Sequence, residues 1–90
     1  MLFNKDCLEL LKETEDCSFD LVITSPPYNI GRNYNKYVDQ RNDYISWLIK
    51  VFNEVCRTLK PNGHLFINLS SSKSDPFAAY KIAEGINWKL

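Results

Sequence analysis

The sequence predicts an α/β fold in which a mostly parallel sheet is joined by crossover helices. Apolar runs of strand length alternate along the chain with longer stretches whose apolar residues recur every three or four positions. The apolar runs are continuous, which is typical of parallel strands that are covered on both faces. With 90 residues and no internal repeat, the chain forms one small domain or part of one.

The first elements are a short apolar start at Leu2-Phe3, expected to be the end of a strand, and a helix that follows Asp6. Asp6 is a favourable N-cap residue, and Glu9 stands three positions later, as in a capping box. We expect this helix to end at residues 13–16. Three leucines can share its buried face: Leu8, Leu10 and Leu11.

The clearest strand is Phe19–Thr24, because Leu21-Val22-Ile23 is a continuous apolar run that both faces of a sheet would bury. Pro26 and Pro27 end this strand, since proline has no N–H to donate to a sheet. The polar segment from Tyr28 to Asn42 is predicted to be an irregular loop, of a length that is often functional.

A long amphipathic helix is predicted from Asp43 to Leu59, with its start capped by Asn42 or Asp43. Its polar residues, Arg57 among them, are expected to lie opposite the core. The segment Lys60–Gly63 stops the helix, because proline bars its continuation and Asn-Gly favours positive φ. The apolar face comprises Tyr44, Ile45, Leu48, Val51, Phe52, Val55 and Leu59.

The remainder of the chain predicts a second buried strand at His64–Leu69 and a serine-rich loop at Ser70–Ser74. A helix then begins with Pro76 at its first position and ends at Gly85, a residue typical of helix C-caps. Residues 86–90 are expected to begin another strand.

Composition limits the classes of function. The 11 basic and 11 acidic residues give a net charge of zero, whereas proteins that hold DNA mainly through its phosphates carry a basic excess. Any grip on DNA is therefore local or comes from other sequence. No apolar run approaches the roughly 20 residues of a membrane helix, and no apolar signal segment follows Met1. We expect a soluble, cytoplasmic protein.

The cysteines predict no metal site. Cys7, Cys17 and Cys56 are widely spaced, and His64 is the single histidine. Zinc sites usually contain closely spaced cysteine or histidine pairs, and this chain has none. We therefore expect reduced, structural cysteines.

The chemistry-bearing segment is Thr24–Asn29, at the carboxyl end of a buried strand, where open α/β sheets bind ligands. Ser25 offers a side-chain acceptor, Pro26 a backbone carbonyl, and Tyr28 a flat aromatic ring.

Methylation of an exocyclic amine is one reaction that requires such acceptors. The amino nitrogen of adenine or cytosine is conjugated with its ring and is a poor nucleophile. Two acceptors that take its N–H protons would free its lone pair for in-line attack on a sulfonium methyl group.

The Ser25–Tyr28 motif, followed by a helix that ends in Arg57–Gly63 and a strand at His64–Asn68, resembles the N4-cytosine/N6-adenine DNA methyltransferases. It is most similar to the subgroup in which this segment precedes the cofactor glycine motif. The resemblance covers almost the whole chain. It implies that residues 1–90 are the catalytic segment of a methyltransferase domain, with part of a Rossmann-like, SAM-dependent methyltransferase sheet.

The resemblance also implies roles for individual residues. The enzyme would transfer a methyl group from S-adenosylmethionine, without a metal, to N4 of cytosine or N6 of adenine in double-stranded DNA. The catalytic residues would be Ser25, Pro26, Pro27 and Tyr28, with Tyr28 stacking on the flipped base. The cofactor would contact Asp6, Ser25 and Pro26, and the base pocket would contain Tyr28, Asn29, Asn68 and Ser70.

The sequence departs from the family at the cofactor motif. The three glycines, Gly31, Gly63 and Gly85, form no Phe-x-Gly-x-Gly motif, and no target-recognition region is present. We therefore expect the N-terminal part of a larger enzyme, inactive alone and completed by further chain or by a self-association partner. The alternatives are an inactive, self-associating remnant and, less favoured, an amino methylase of RNA or protein glutamine.

Simpler interpretations of the same residues stay open. Asp6 could be a helix cap only, and Ser25 with its prolines could form a plain turn. Tyr28 could be a packing aromatic residue, and Asn68 and Ser70 could be ordinary loop residues. The basic residues Arg32, Lys36 and Arg41 are better explained as a solvated loop than as phosphate contacts. Within the family resemblance, a serine rather than an aspartate at the first motif position is similar to the N4-cytosine enzymes, which favours cytosine slightly.

Overall fold

The computed structural model describes residues 2–27, 32–34, 37–39 and 42–88, and only the backbone of 32–34 and 37–39. The described part of the chain is a mixture of helices and short strands, with one parallel and one antiparallel strand pair. The elements are α1 (Cys7–Glu13), β1 (Phe19–Thr24), β2 (Arg32–Tyr34), β3 (Tyr37–Asp39), α2 (Tyr44–Thr58), β4 (Leu59–Ile67) and α3 (Ala78–Gly85).

The parallel pair of β1 and β4 confirms two strands of the larger sheet that the sequence predicts. Leu21 pairs with His64, and the register continues to Thr24 opposite Ile67. The pairing is irregular at its start, where Phe19 lies opposite Leu59 and residues 60–63 of β4 are accommodated beside a single residue of β1. Residues 60–63, which follow α2, therefore form an irregularity in the strand, and regular pairing resumes at Leu21 and His64.

Gly63 serves this irregular pairing through its small size. A Cβ atom at Gly63 would lie 3.0 Å from the Lys60 carbonyl oxygen and 3.2 Å from that of Asp20. The prediction of positive φ in this segment is wrong, because neither Asn62 nor Gly63 adopts it. The chain passes from α2 directly into extended backbone at Leu59, so no left-handed cap is required.

The core is built on one face of α2, as the helical periodicity predicts. Leu48 and Phe52 are almost fully buried, and Ile82 of α3 packs in the same cluster with no exposed surface. From the other side, Leu11 of α1 and Leu59 of β4 complete the cluster. The helix α2 therefore contacts both other helices and the sheet.

The first helix confirms its predicted cap. The Asp6 carboxylate accepts a hydrogen bond of 3.2 Å from the backbone N–H of Glu9. Leu11 is buried, whereas Leu8 and Leu10 are half-buried. The helix ends at Glu13, at the start of the predicted range.

Arg57 lies outside the core cluster, as expected, but its side chain is half-buried and bonded to α1 rather than free in solvent. Its guanidinium group donates to the carbonyl oxygens of Leu11 and Thr14, at 2.6 and 2.9 Å. It also forms ion pairs of 2.6 Å with Asp16 and Glu54. The carboxylates of Glu54 and Asp16 raise the pKa of Arg57 above its ordinary value. Arg57 therefore caps the end of α1 and fastens it to α2.

The last helix begins later than predicted. Pro76 lies in a turn, α3 starts at Ala78, and the hydroxyl of Ser71 accepts a hydrogen bond of 3.2 Å from the Ala79 N–H. Gly85 is the last helical residue rather than a cap. Its role is steric, because a Cβ atom there would come within 2.7 Å of Ile49 Cγ1 on α2.

Three further expectations are wrong. Leu2 and Phe3 form no strand and are 100% and 60% exposed. Residues 86–88 are not a strand either, and the predicted irregular loop contains the antiparallel pair of β2 and β3.

The outer face of the β1–β4 pair is exposed, with Ile23 at 71% and Phe66 at 58%. Among the described residues, these apolar side chains of the outer face are therefore left largely open to solvent.

No helix among the described residues is long and apolar enough to cross a membrane.

A matched pair of substitutions tests the assignment of core and exposed face. Ile82→Val removes a methylene group from a fully buried site and should lower the free energy of unfolding by about 0.5–1.5 kcal/mol. Ile23→Val makes the same chemical change at a residue that is 71% exposed, and should leave the free energy nearly unchanged. Urea denaturation of both variants measures the difference, and equal losses would contradict the described core.

Candidate active site

The candidate site lies where β1 and β4 end. Because the strands are parallel and Thr24 pairs with Ile67, Ser25 and Asn68 follow at the same edge of the sheet. The Asn68 N–H donates a hydrogen bond of 3.0 Å to the Thr24 carbonyl oxygen, which extends the pairing by one residue. The structure therefore brings together two predicted site residues that are distant in sequence.

The turn that contains Pro26 and Pro27 is also held by a hydrogen bond from helix α2. The hydroxyl of Tyr44, in the first turn of α2, donates a hydrogen bond of 2.6 Å to the Pro27 carbonyl oxygen. Tyr44 is only 5% exposed, and its ring lies 6.4 Å from that of Trp47 at an angle of 45°. The turn is thus fastened to both the sheet and the helix that covers it.

Between these two anchored carbonyls lie the two predicted acceptors. Ser25 is exposed and Pro26 is half-buried. No hydrogen bond joins the Ser25 hydroxyl or the Pro26 carbonyl to another residue in the part of the chain that the structure describes. Both oxygens are therefore available to accept hydrogen bonds from a ligand.

A cavity of about 460 Å³ adjoins the turn. Its walls are mostly apolar side chains of α1, β1 and α2, and Ser25, Pro26 and Pro27 line one part of it. Cys7, at the start of α1, lines the same cavity. The cavity is therefore an apolar space that opens beside a group of hydrogen-bond acceptors, a combination common in small-molecule sites.

Asp6 lies next to this cavity through its neighbour Cys7. Its side chain is engaged in capping α1 through one of its two carboxylate oxygens. A carboxylate can accept further hydrogen bonds while it caps a helix. The geometry is therefore compatible with the cap-only interpretation and with a second role towards a ligand.

The remaining predicted residues differ in how well the structure places them. Ser70 is half-buried, and its hydroxyl donates a hydrogen bond of 3.2 Å to the neighbouring Ser71 carbonyl. Tyr28 and Asn29 lie outside the described residues, as do Lys36 and Arg41. The base contacts predicted for Tyr28 and Asn29 stay predictions, and so does the solvated loop predicted for Lys36 and Arg41.

The cysteines are free thiols, with Cys7 and Cys17 exposed and Cys56 buried. Over the described ranges, no group of three histidine, cysteine or acidic side chains is arranged to hold a metal ion.

Tyr44 is a site residue that the sequence analysis placed only in the apolar face of α2. Its hydroxyl contacts the motif across the intervening polar segment, which helical periodicity cannot reveal. One signal was present in the sequence. A tyrosine that is buried in a helix face usually requires a hydrogen-bond partner for its hydroxyl, and the first turn of α2 follows the motif in the chain.

Comparison with known proteins gives a consistent result. The sequence model of the N6/N4 methyltransferase family, described as DNA methylase, matches residues 19–90. Type II methyltransferase M.BamHI of Bacillus amyloliquefaciens is 41% identical over 69 residues, or 73% of this chain. Type II methyltransferase M.BglII of Bacillus subtilis is 35% identical over 82% of the chain. DNA adenine methyltransferase YhdJ of Escherichia coli K12 is 35% identical over 84%.

The alignments cover only a small part of these relatives. They span 16% of M.BamHI, 20% of M.BglII and 26% of YhdJ.

The thiol of Cys7 provides a test of the cavity. Partial desolvation by the surrounding protein raises the pKa of the Cys7 thiol although the residue is exposed, and the Asp6 carboxylate raises it further. We expect alkylation by iodoacetamide to begin at higher pH in the folded chain than in urea, because the reactive thiolate forms later. For the same reason, any stability that the neutral thiol contributes is lost as pH rises through its folded-state pKa.

The measurement is the pH dependence of the alkylation rate at Cys7 in the Cys17→Ser variant, read from the Cys7 peptide by mass spectrometry, because Cys56 is buried only in the folded chain. The same variant in urea is the control. A folded-state midpoint equal to or below the unfolded one would contradict the described environment of Cys7.

Proposed function

Because the chain belongs to the N6/N4 DNA methylase family, we propose that it supplies the catalytic segment of an enzyme that methylates an exocyclic amino group in DNA. The methyl donor in this proposal is S-adenosylmethionine, and the target is N4 of cytosine or N6 of adenine. The observation that carries the proposal is the pair of uncommitted acceptors, Ser25 and Pro26, between two anchored carbonyl groups.

The proposed mechanism depends on these two oxygens. The amino group of a flipped base would donate one N–H to the Ser25 hydroxyl oxygen and the other to the Pro26 carbonyl oxygen. Such bonds draw the nitrogen towards tetrahedral geometry and localise its lone pair. When bound, S-adenosylmethionine supplies a sulfonium methyl group, so that a C–N bond forms as the C–S bond breaks. One of the two amino protons then passes to solvent.

The described residues fit part of the cofactor. The apolar cavity suits the flat face of an adenine ring, and the second oxygen of Asp6 could accept a hydrogen bond from the adenosine end. A glycine-rich turn of the kind that receives the methionine end is not present among the described residues. We propose that further polypeptide supplies it.

The base pocket in this proposal combines residues of unequal support. Asn68 is placed beside Ser25 by the strand register and could hydrogen-bond an edge of the base. Tyr28 would stack on the base, and Asn29 and Ser70 would line its surroundings. For Tyr28 and Asn29 the support is the resemblance of the motif alone.

The exposed outer face of the sheet supports a larger assembly. Ile23 and Phe66 pair across β1 and β4 and are both more than half exposed, which is uncommon for neighbouring apolar side chains in a finished domain. We propose that β1 and β4 are part of a larger Rossmann-like methyltransferase sheet. The same assembly would provide the excess of basic groups for DNA phosphates that a chain of zero net charge does not have.

A serine pair tests the proposed mechanism. In the protein expressed at the full length of its reading frame, Ser25→Ala should reduce kcat for methyl transfer to DNA by about 100-fold, comparable to losing one oxyanion-hole donor. Ser18→Ala removes the hydroxyl of an exposed serine that bonds only locally, to Glu15, and should have no effect. Transfer of labelled methyl groups measures the rate.

Nucleoside analysis of the product identifies the base as N4-methylcytosine or N6-methyladenine. Methylation of RNA or of a glutamine peptide in preference to DNA would overturn the proposed substrate. Equal activities of the two serine variants would overturn the proposed role of Ser25.

A second pair of variants separates the two roles open to Asp6. Asp6→Ser retains a capping oxygen, and Asp6→Ala removes it, so only the alanine variant should lose about 1 kcal/mol of stability. If Asp6 also binds the cofactor, both variants should weaken S-adenosylmethionine binding, because serine lacks the second oxygen. Thermal denaturation and calorimetric titration measure the two effects. Unchanged cofactor affinity in Asp6→Ser would leave the cap as the sole role.

A further inference from the structure

The hydrogen bond between the Tyr44 hydroxyl and the Pro27 carbonyl connects the proline turn to the buried core. At 2.6 Å it is a short bond between a phenol and a carbonyl, and the Tyr44 side chain that donates it is 5% exposed. The ring belongs to the buried cluster of α2. The oxygen of Pro27 is therefore held by a donor that is itself fixed in the core.

The position of this bond within the motif determines what it can control. The Asn68 N–H holds the carbonyl of Thr24 on one side of the two acceptors, and Tyr44 holds the carbonyl of Pro27 on the other. Both proline rings fix their own φ angles. The direction of the Pro26 carbonyl then depends mainly on the ψ angles of Ser25 and Pro26, and the anchored ends restrict both.

A purely structural role would require the ring but not the hydroxyl. The ring of Tyr44 packs in the α2 cluster and lies tilted against Trp47, and phenylalanine would retain both contacts. The two roles can therefore be separated by removing one oxygen atom.

We propose that Tyr44 is a positioning residue, whose hydroxyl fixes the Pro27 carbonyl and thereby aims the Pro26 carbonyl at the amino group of the target base. The inference rests on the proposed function, because it assigns Pro26 as an acceptor in methyl transfer. Tyr44 itself touches neither the base nor the methyl donor in this proposal.

The test compares Tyr44→Phe with Tyr80→Phe in the full-length protein. Tyr80 lies on α3 and is 77% exposed, so its variant loses a hydroxyl away from the motif and should keep the activity of the unaltered protein. Tyr44→Phe should lower kcat between about tenfold and a hundredfold, as a misaligned reacting group does. The KM for S-adenosylmethionine should not change.

A spectroscopic measurement tests the hydrogen bond independently of catalysis. In protein labelled with ¹³C at proline carbonyl groups, Tyr44→Phe should move the Pro27 resonance upfield, because its carbonyl loses a hydrogen bond. The Tyr80→Phe spectrum should match that of the unaltered protein.

The outcomes distinguish this inference from the proposed function. A shifted Pro27 resonance with unchanged kcat would overturn the positioning role and leave the proposed function standing. An unshifted resonance would show that the bond is not formed in solution, and would also overturn the role. If the unaltered full-length protein transfers no methyl group to DNA, the proposed function fails, and the role of Tyr44 fails with it.

Discussion

Helices α1 and α3 and strand β4 pack on α2, and the burial of its apolar face is the interaction on which the rest of the described structure depends. Leu48 and Phe52 lie at the centre of this contact and are almost inaccessible to water. Burying side chains of this size contributes about 1.5–3 kcal/mol each. The polar side of α2 adds a second connection, because Arg57 reaches from it to the end of α1. One helix thus fixes the elements on each side of the candidate site.

The same arrangement explains how a small framework can present the two predicted acceptor groups. Strands β1 and β4 end together, so Ser25 and Asn68 meet at one edge of the sheet. Helix α2 covers that sheet and places Tyr44 within hydrogen-bond distance of the turn. The two acceptor residues line the cavity, with Ser25 exposed and Pro26 half-buried, while the groups that hold their neighbours belong to the framework. Such rigidity is what a site with little reorganisation during reaction requires.

Local signals in the sequence were sufficient for much of this structure. The cap at Asp6, strand β1 and helix α2 were predicted with nearly their observed limits, since each depends on residues close together in the chain. The bonds of Arg57 and Tyr44 were not predicted, because they join residues far apart in sequence. The exposure of Ile23 also escaped prediction. An apolar run indicates that a strand can be buried on both faces, but the run does not specify what covers it.

The hydrogen bond between Pro27 and Tyr44 also joins the two ends of the segment that lies between these residues. Because both ends of this segment are fixed, the free energy of closing it into a loop rises only slowly with its length, by about 0.6 kcal/mol for each doubling. Sequence between Asn29 and Tyr44 could therefore be exchanged or extended without displacing Ser25 or Pro26. The proline turn with the two residues that follow it, and the segment beyond them, would then be separable modules, so that evolution or engineering could replace one while the other is kept.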